Sequence, residues 1–293
     1  MPKILVTGAN GFVGHNLVNM LTDKNFPVVA TGKGAMRNGD KKWNYHQLDF
    51  TNETSVKKLF AEVQPTIIIH CGAVSKPDEC EQNRDLAFNI NVEGTNHLLK
   101  YAEEHRSFFI FLSTDFVFDG SKGMYKEDDE RAAVNYYGQT KILAENKVMN
   151  YSFNWCIVRT VLVYGKPFPG RSNLLTMVSE ALKQNKPLKI FGDQLRTPTY
   201  VEDLCKGIIA IVENQKTGIF HLSGKDKRTP FQVAVETAKY LGLNEALIRE
   251  VEEKDFDQPA RRPLITGFDI SKAEKELGYG PLSFAEGLKK TFE

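Results

Sequence analysis

Tyr137 and Lys141 stand four residues apart, and on a helix residues at i and i+4 share a face. A lysine ammonium beneath a phenol favours its ionised form, bringing a group with an ordinary pKa of about 10 toward working pH. Such a tyrosine can exchange a proton with a reacting oxygen. Its neighbour Tyr136 does not qualify, because the residue four positions on is Thr140. Upstream, the apolar run Phe108–Ser113 closes on two hydroxyls, Ser113 and Thr114. The carboxyl ends of strands are where open α/β sheets bind ligands, so a hydroxyl there can hydrogen-bond a carbonyl. The chemistry implied is interconversion of a carbonyl and an alcohol, which needs a hydride carrier.

A site for that carrier stands near the N-terminus. Thr7-Gly8-Ala9-Asn10-Gly11-Phe12-Val13-Gly14 joins the apolar run Ile4–Thr7 to a stretch with helical spacing. In a dinucleotide fingerprint one glycine makes the tight turn, one lets backbone approach the pyrophosphate and one packs helix on strand. The helix N-terminus then offers its N–H groups to the phosphates. The next apolar run ends Ala30-Thr31-Gly32-Lys33, without the carboxylate that would take the ribose hydroxyl of NAD; the nearest is Asp40. Lys33 and Arg37 suit a 2′-phosphate or are solvated loop cations. The expected cofactor is therefore NADP(H), with NAD(H) as the alternative.

The elements that must position these residues alternate. Short apolar runs at Ile4–Thr7, Pro27–Thr31, Tyr45–Asp49, Thr66–Cys71, Phe108–Ser113 and Trp155–Val161 are separated by helical patterns, among them about Arg84 to Glu104 and Tyr136 to Asn150. This order predicts an α/β fold of Rossmann type, a doubly wound parallel sheet with a smaller C-terminal substrate-binding domain. The expected division is 1–165 for the cofactor domain, with the chain returning to it at about 199–223, and 166–293 for the smaller, partly interleaved domain. The 293 residues are 41% hydrophobic, and 38 Lys and Arg against 37 Asp and Glu give a net charge of +1. No broad basic field points to nucleic acid, and no run is long enough to span a membrane. A soluble cytoplasmic protein is the default expectation. Cys71, Cys80, Cys156 and Cys205 are scattered and read as reduced thiols, and the six histidines show no metal-ligand spacing. No metal is expected.

The G-x-x-G-x-x-G spacing with Y-x-x-x-K resembles the extended short-chain dehydrogenases/reductases. That resemblance implies cofactor contacts from Gly8, Asn10, Gly11, Phe12, Val13 and Gly14, from Asp49-Phe50 at the adenine, from Cys71-Gly72-Ala73 beside the dinucleotide, and from Tyr137 and Lys141. Its hydroxyl-x-x-Val-aromatic pattern selects Thr114 as the third catalytic group with Tyr137 and Lys141, leaving Ser113 as a supporting hydroxyl. Ser113-Thr114-Asp115-Phe116-Val117-Phe118-Asp119-Gly120 is similar to the S-T-D-Y-V-F-D-G of the dTDP-4-dehydrorhamnose reductases. Asp193-Gln194-Leu195-Arg196-Thr197-Pro198-Thr199 resembles their D-Q-x-G-x-P-T, and Arg262-Pro263 their C-terminal R-P segment. Val74, Ser113 and Asp115 would then meet the substrate, a nucleotide-activated 4-keto sugar.

Three departures keep other readings open. Arg196 replaces the reductase glycine, Leu162 stands where a substrate-facing Trp is usual, and Arg196–Asp203 reads partly like the sugar-nucleotide epimerases. In those, paired arginines clamp the substrate diphosphate, a role available to Arg196 and Arg262; the alternative is that both are ion-paired at the surface. Asn173 resembles a nucleotide-contacting epimerase position. A dehydratase is disfavoured, since Phe116 follows Asp115 where those enzymes carry Glu. The readings are a reductase, a 4-epimerase holding NAD, and a non-catalytic branch resembling the methionine adenosyltransferase regulatory subunit. The resemblance also implies a homodimer built on the two long helices.

Overall fold

The computed structural model describes residues 3–37, 43–168, 171–255 and 258–293; Asp40 lies outside them. Seven strands form one parallel sheet: β1 (Ile4–Thr7), β2 (Val28–Gly32), β3 (Tyr45–Gln47), β4 (Ile67–His70), β5 (Phe108–Thr114), β6 (Trp155–Thr160) and β10 (Gly218–His221). Their order is β10-β6-β5-β4-β1-β2-β3. Strands β1, β4 and most of β5 are buried on both faces, which is why their sequences are continuous rather than alternating apolar runs. The order reverses between β1 and β4, and ligands of open α/β sheets bind at that switch point, outside the carboxyl ends of the strands.

Helices cover both faces. On one side α1 (Phe12–Asp23) and α8 (Val201–Asn214) bury Leu17, Leu21, Leu204 and Ile208 against Val6, Ile69 and Val158. On the other, α2 (Glu53–Val63), α5 (Gly94–His105) and α6 (Tyr136–Met149) bury Phe60, Leu98 and Ala144 against Leu5, Ile68 and Phe109. The single long helix expected from about Arg84 is interrupted. After α3 (Pro77–Gln82), α4 (Arg84–Phe88) passes through a π-helical turn at Asn89–Glu93 into α5. Apolar spacing does not distinguish one wide turn from a regular one, and such turns recur at functional sites.

The remaining pieces pack around smaller cores. β7 (Val163–Tyr164) pairs with β9 (Thr199–Tyr200), and β8 (Leu188–Phe191) with β11 (Ile248–Val251), both parallel. α7 (Leu174–Lys183) and α9 (Pro230–Tyr240) bury Val178, Leu182 and Ala234 with Ile190. α10 (Ser271–Leu277) returns to α8 and β10, and α11 (Phe284–Phe292) packs Phe284 and Leu288 on Tyr164 and Tyr200. Between α9 and α10, residues 258–266 run back toward the carboxyl end of β5, where Ile265 N donates to Gly120 O.

Candidate active site

The glycine loop has the geometry that its spacing demands. Gly8 adopts φ +72°, a left-handed value that L side chains rarely take. A Cβ on Gly14 would stand 2.3 Å from Gly8 O, so helix and loop approach too closely for any side chain. At Gly11 the same atom would meet only Gly8 O at 3.0 Å, the more open position of the three. α1 starts after Gly11 with no side chain capping its first N–H groups and no acidic residue in its first turn. These donors fit a pyrophosphate.

Around the loop, several expected cofactor residues are in contact with one another. Asn10 Nδ2 donates to Ala35 O and Tyr45 Oη, and its Oδ1 accepts from Arg37 N at 3.0 Å. Asn10 therefore shapes the loop wall after β2, with its side chain already committed. Lys33 Nζ lies 2.8 Å from Asp49 Oδ2, so the expected phosphate cation and adenine-side carboxylate form an ion pair. Phe50 packs its edge on His70 and closes against Gly72. The Cys71 thiol is pushed up to about 12 by burial, and stays protonated beside the loop.

The expected catalytic trio comes together at the carboxyl end of β5. Asn135 caps α6 by accepting from Gly138 N, and its amide donates to Arg261 O at 2.7 Å. Tyr137 therefore enters in the first turn, 8% exposed, beside the end of β5 and with its ring edge-on to Phe116. Burial raises the phenol above its ordinary value; the Thr114 hydroxyl opposes this, and the Asp115 and Cys80 charges add to it. One turn on, Lys141 Nζ donates to Leu112 O at 2.8 Å and sits 3.9 Å from the Phe111 ring centroid. Burial lowers this ammonium to about 7, against the pull of Glu145, Cys71 and Cys80. The expected lowering of the phenol by Lys141 is thus corrected. Lys141 shares the face of Tyr137 but is turned to the β5 backbone, and burial governs both groups.

The expected substrate residues divide. Asp115 is 3% exposed. Its Oδ1 accepts from the Thr114 hydroxyl at 3.1 Å, and its Oδ2 from the Thr266 hydroxyl. Val74 is half-buried beside Cys80 and Tyr137. Ser113 is 4% exposed, and its hydroxyl makes no hydrogen bond among the described residues. The diphosphate role expected for Arg196 is corrected: its side chain is 4% exposed, NH1 donates to Leu195 O and Leu264 O, and NH2 to Pro263 O and Gln194 Oε1. Arg262 makes a two-pronged pair with Asp78 at 2.6 and 2.7 Å, which ties the 258–266 segment to α3. Asn173 is also corrected. Its Oδ1 accepts from Leu175 N and Thr176 N at the start of α7, capping it, and its Nδ2 donates to Gly165 O, so both ends of the amide are engaged within the fold. Leu162, expected to face the substrate, is half-buried against the main core with a left-handed φ of +36°.

Other residues, not expected from the sequence, hold the site. Asn91, 1% exposed in the π-helical turn, takes Val74 N on its Oδ1 and donates to Val74 O and Thr140 Oγ1. It thereby locks the segment after β4 to the helix of Tyr137. A buried polar amide inside a helical stretch was the available signal. Beneath Lys141, Glu145 accepts two bonds from Arg159, at 3.0 and 2.9 Å, and one from Arg131 at 3.0 Å. From the smaller part of the chain, Arg171 Nε donates to Asn10 O at 2.9 Å and Phe168 stacks on His15 with centroids 3.9 Å apart. Among the described residues no group of three His, Cys, Asp or Glu is placed to hold a metal ion, and no helix is long and apolar enough to cross a membrane.

The fold and sequence are similar to known reductases over almost their whole length. A dTDP-4-dehydrorhamnose reductase from Clostridium acetobutylicum superposes with a TM-score of 0.88 at 31% identity, covering 99% of this chain and 98% of the other. The dTDP-4-dehydrorhamnose reductase of Bacillus anthracis, solved in complex with NADP, gives 0.87 at 29% identity with the same coverage. In sequence, the methionine adenosyltransferase 2 subunit beta of Pongo abelii is 29% identical over 99% of this chain and 86% of its own length. Residues 2–293 match the RmlD substrate binding domain family, and the chain belongs to that family.

Proposed function

We propose that the protein is a nicotinamide-dependent oxidoreductase, a dTDP-4-dehydrorhamnose reductase-like enzyme that reduces the 4-keto group of a nucleotide-activated sugar with NADPH. The observation that carries this reading is the packing of Tyr137, in the first turn of α6, against the end of β5 that carries Thr114, one helical turn from Lys141. When bound, a reduced nicotinamide supplies hydride to the carbonyl carbon. Tyr137 gives its phenolic proton to the carbonyl oxygen as that oxygen gains charge. Thr114 offers a hydroxyl to the same oxygen. Lys141, anchored on Leu112 O one helical turn on, keeps a cation on the helix face that carries the phenol. NADP(H) is favoured over NAD(H) by Lys33 and Arg37 after β2, where no carboxylate follows among the described residues until Asp49. The structural relative from Bacillus anthracis bound to NADP supports the same choice.

The test is absorbance loss at the nicotinamide band when the protein meets NADPH and a dTDP-4-keto-6-deoxy sugar. Oxidation that Tyr137→Phe abolishes supports the reading; interconversion of UDP-sugars without added cofactor replaces it with an epimerase. The likeness to methionine adenosyltransferase 2 subunit beta favours a second reading, a subunit that binds a partner enzyme. Inertness toward every nucleotide sugar, with a co-purifying partner, would select it. A homodimer is also proposed, on the exposed apolar side chains Leu86 and Phe88 of α4 and Leu143 of α6, two helices in contact.

A further inference from the structure

No Lys, Arg, Asp or Glu occurs from Thr7 to Thr22, so the glycine loop and the first turns of α1 offer a pyrophosphate no charged side chain. A helix N-terminus supplies roughly half a positive charge, less than a pyrophosphate carries. Lys33 and Arg37 follow β2, where a dinucleotide fold places the adenine ribose. A cation reaches the loop from beyond β7 instead. Arg171 Nε donates at 2.9 Å to Asn10 O, a main-chain oxygen of the loop between Gly8 and Gly11. The other two nitrogens of the guanidinium, Nη1 and Nη2, make no hydrogen bond or ion pair among the described residues, and Arg171 is exposed. Such a fork suits phosphate oxygens. Neighbouring residues fix it in place. Arg171 N donates to Phe168 O at 3.0 Å, and the Phe168 ring lies flat on His15 near the start of α1, with 8° between the ring planes. His15 in turn leans on Trp43, whose Nε1 donates to Asn19 Oδ1 at 3.2 Å. Two residues beyond Arg171, Asn173 ties Gly165 O to the start of α7.

We propose that Arg171 is a cofactor-binding residue: anchored on Asn10 O through Nε, it gives its Nη groups to the pyrophosphate of the nicotinamide dinucleotide. This rests on the reading of the Gly8–Gly14 loop as the dinucleotide site. A nucleotide sugar also carries a diphosphate, but the anchor of Arg171 is the glycine loop itself, which places the guanidinium with the dinucleotide. Phe168 acts through Arg171, by holding the turn that carries it against α1. The charge that the loop and α1 lack is thus supplied by a segment that leads directly into α7. The bound pyrophosphate and Asn10 O then share one guanidinium, and the cofactor fastens the segment before α7 to the glycine loop.

The experiment is calorimetric titration of the whole protein, wild type and Arg171→Gln, with NADPH, NADH, adenosine 2′-phosphate and dTDP. Arg171→Gln should weaken NADPH and NADH alike, by about 10-fold, because the pyrophosphate is common to both. Adenosine 2′-phosphate, which has no pyrophosphate, should bind as before, and so should dTDP. The difference between wild type and variant should shrink at high salt, since Arg171 is exposed. Phe168→Ala should weaken both dinucleotides by a smaller factor, since the guanidinium is loosened but kept. Unchanged dinucleotide affinity in Arg171→Gln overturns the inference. So does a loss confined to dTDP, because the guanidinium then serves the diphosphate of the substrate. Gly14→Ala separates the two levels of the argument. If it weakens the dinucleotides while Arg171→Gln does not, only the role of Arg171 falls; if neither variant has an effect, the reading of the loop falls as well.

Discussion

The Lys141 ammonium donates to the main-chain oxygen of Leu112 at 2.8 Å, in a site where it is only 2% exposed. The group on which proton transfer depends is therefore also a buried charge. Its pKa of about 7 in the fold lies below the ordinary 10.5. Between these values the folded chain binds fewer protons than the unfolded one, so stability rises with pH across that window. Below about 7 both states are protonated and the burial cost is present in full. Lys141→Met should raise the melting temperature at about pH 6, with the gain shrinking as pH climbs from 7 toward 10. Turnover should fall by ~10²-fold or more. Calorimetry over a pH series reads the first; a variant less stable than wild type at the acid end contradicts it.

Gly14 allows a sharper test of the cofactor loop than the catalytic residues do. The added methyl of Gly14→Ala would meet Gly8 O at 2.3 Å, and that oxygen belongs to the turn that shapes the pyrophosphate site. The loop must shift by an ångström or so, at a cost of about 1–3 kcal/mol. Nicotinamide dinucleotide affinity, followed by fluorescence titration, should weaken at least ~10-fold while the circular dichroism spectrum is retained. Unchanged affinity would show that this turn does not hold the dinucleotide.

Glu145 is fully buried, and burial would raise its pKa; Arg159 and Arg131 together bring it below the usual carboxylate value. A depressed carboxylate stabilises the fold above its unfolded pKa and loses that contribution as pH falls through the folded one. Glu145→Gln leaves Arg159, 1% exposed, without its counter-charge and should destabilise by about 3–5 kcal/mol at neutral pH. Replacing both residues by Met should recover much of that loss, because the charges then left without Glu145 are Arg131, which is 22% exposed, and Lys141, which burial already lowers to about 7. Urea unfolding of the single and double variants decides it. A double variant no better than the single one means that the pair itself, and not the orphaned arginine, carries the stability.

The parts of this site that local geometry dictates were legible in the sequence. Gly8 and Gly14 are required by a left-handed turn and a close approach, so their spacing speaks directly of a loop shape. Tyr137, Lys141 and Thr114 are placed by one helical turn and one strand end. The sheet follows from continuous apolar runs separated by helices. What was not legible depends on partners distant in the chain. Arg196 and Asn173 carry the groups that would suit a nucleotide, but Pro263, Leu264 and Gly165 supply acceptors that no local pattern announces. The π-helical turn at Asn91 was hidden for a related reason, since its wide turn preserves the apolar face on both sides.

Lys33 and Asp49 bear on the choice between the two nicotinamide dinucleotides. The lysine side chain is 78% exposed, and Asp49 is held below its usual carboxylate value, its burial outweighed by hydrogen bonds from Lys33 and Thr51. Exposed pairs of this kind contribute little, so a 2′-phosphate with two negative charges can compete for the ammonium. Lys33→Ala should therefore weaken NADPH binding about 10-fold and leave NADH nearly unchanged. Asp49→Asn should act in the opposite direction on NADPH by a few-fold, because the cation no longer has an internal partner. The NADPH effects should shrink at high salt, since the charges are solvent-exposed. Equal losses for both dinucleotides in Lys33→Ala would mean that Lys33 touches a part of the cofactor common to the two, and the preference for NADP(H) would then need another source.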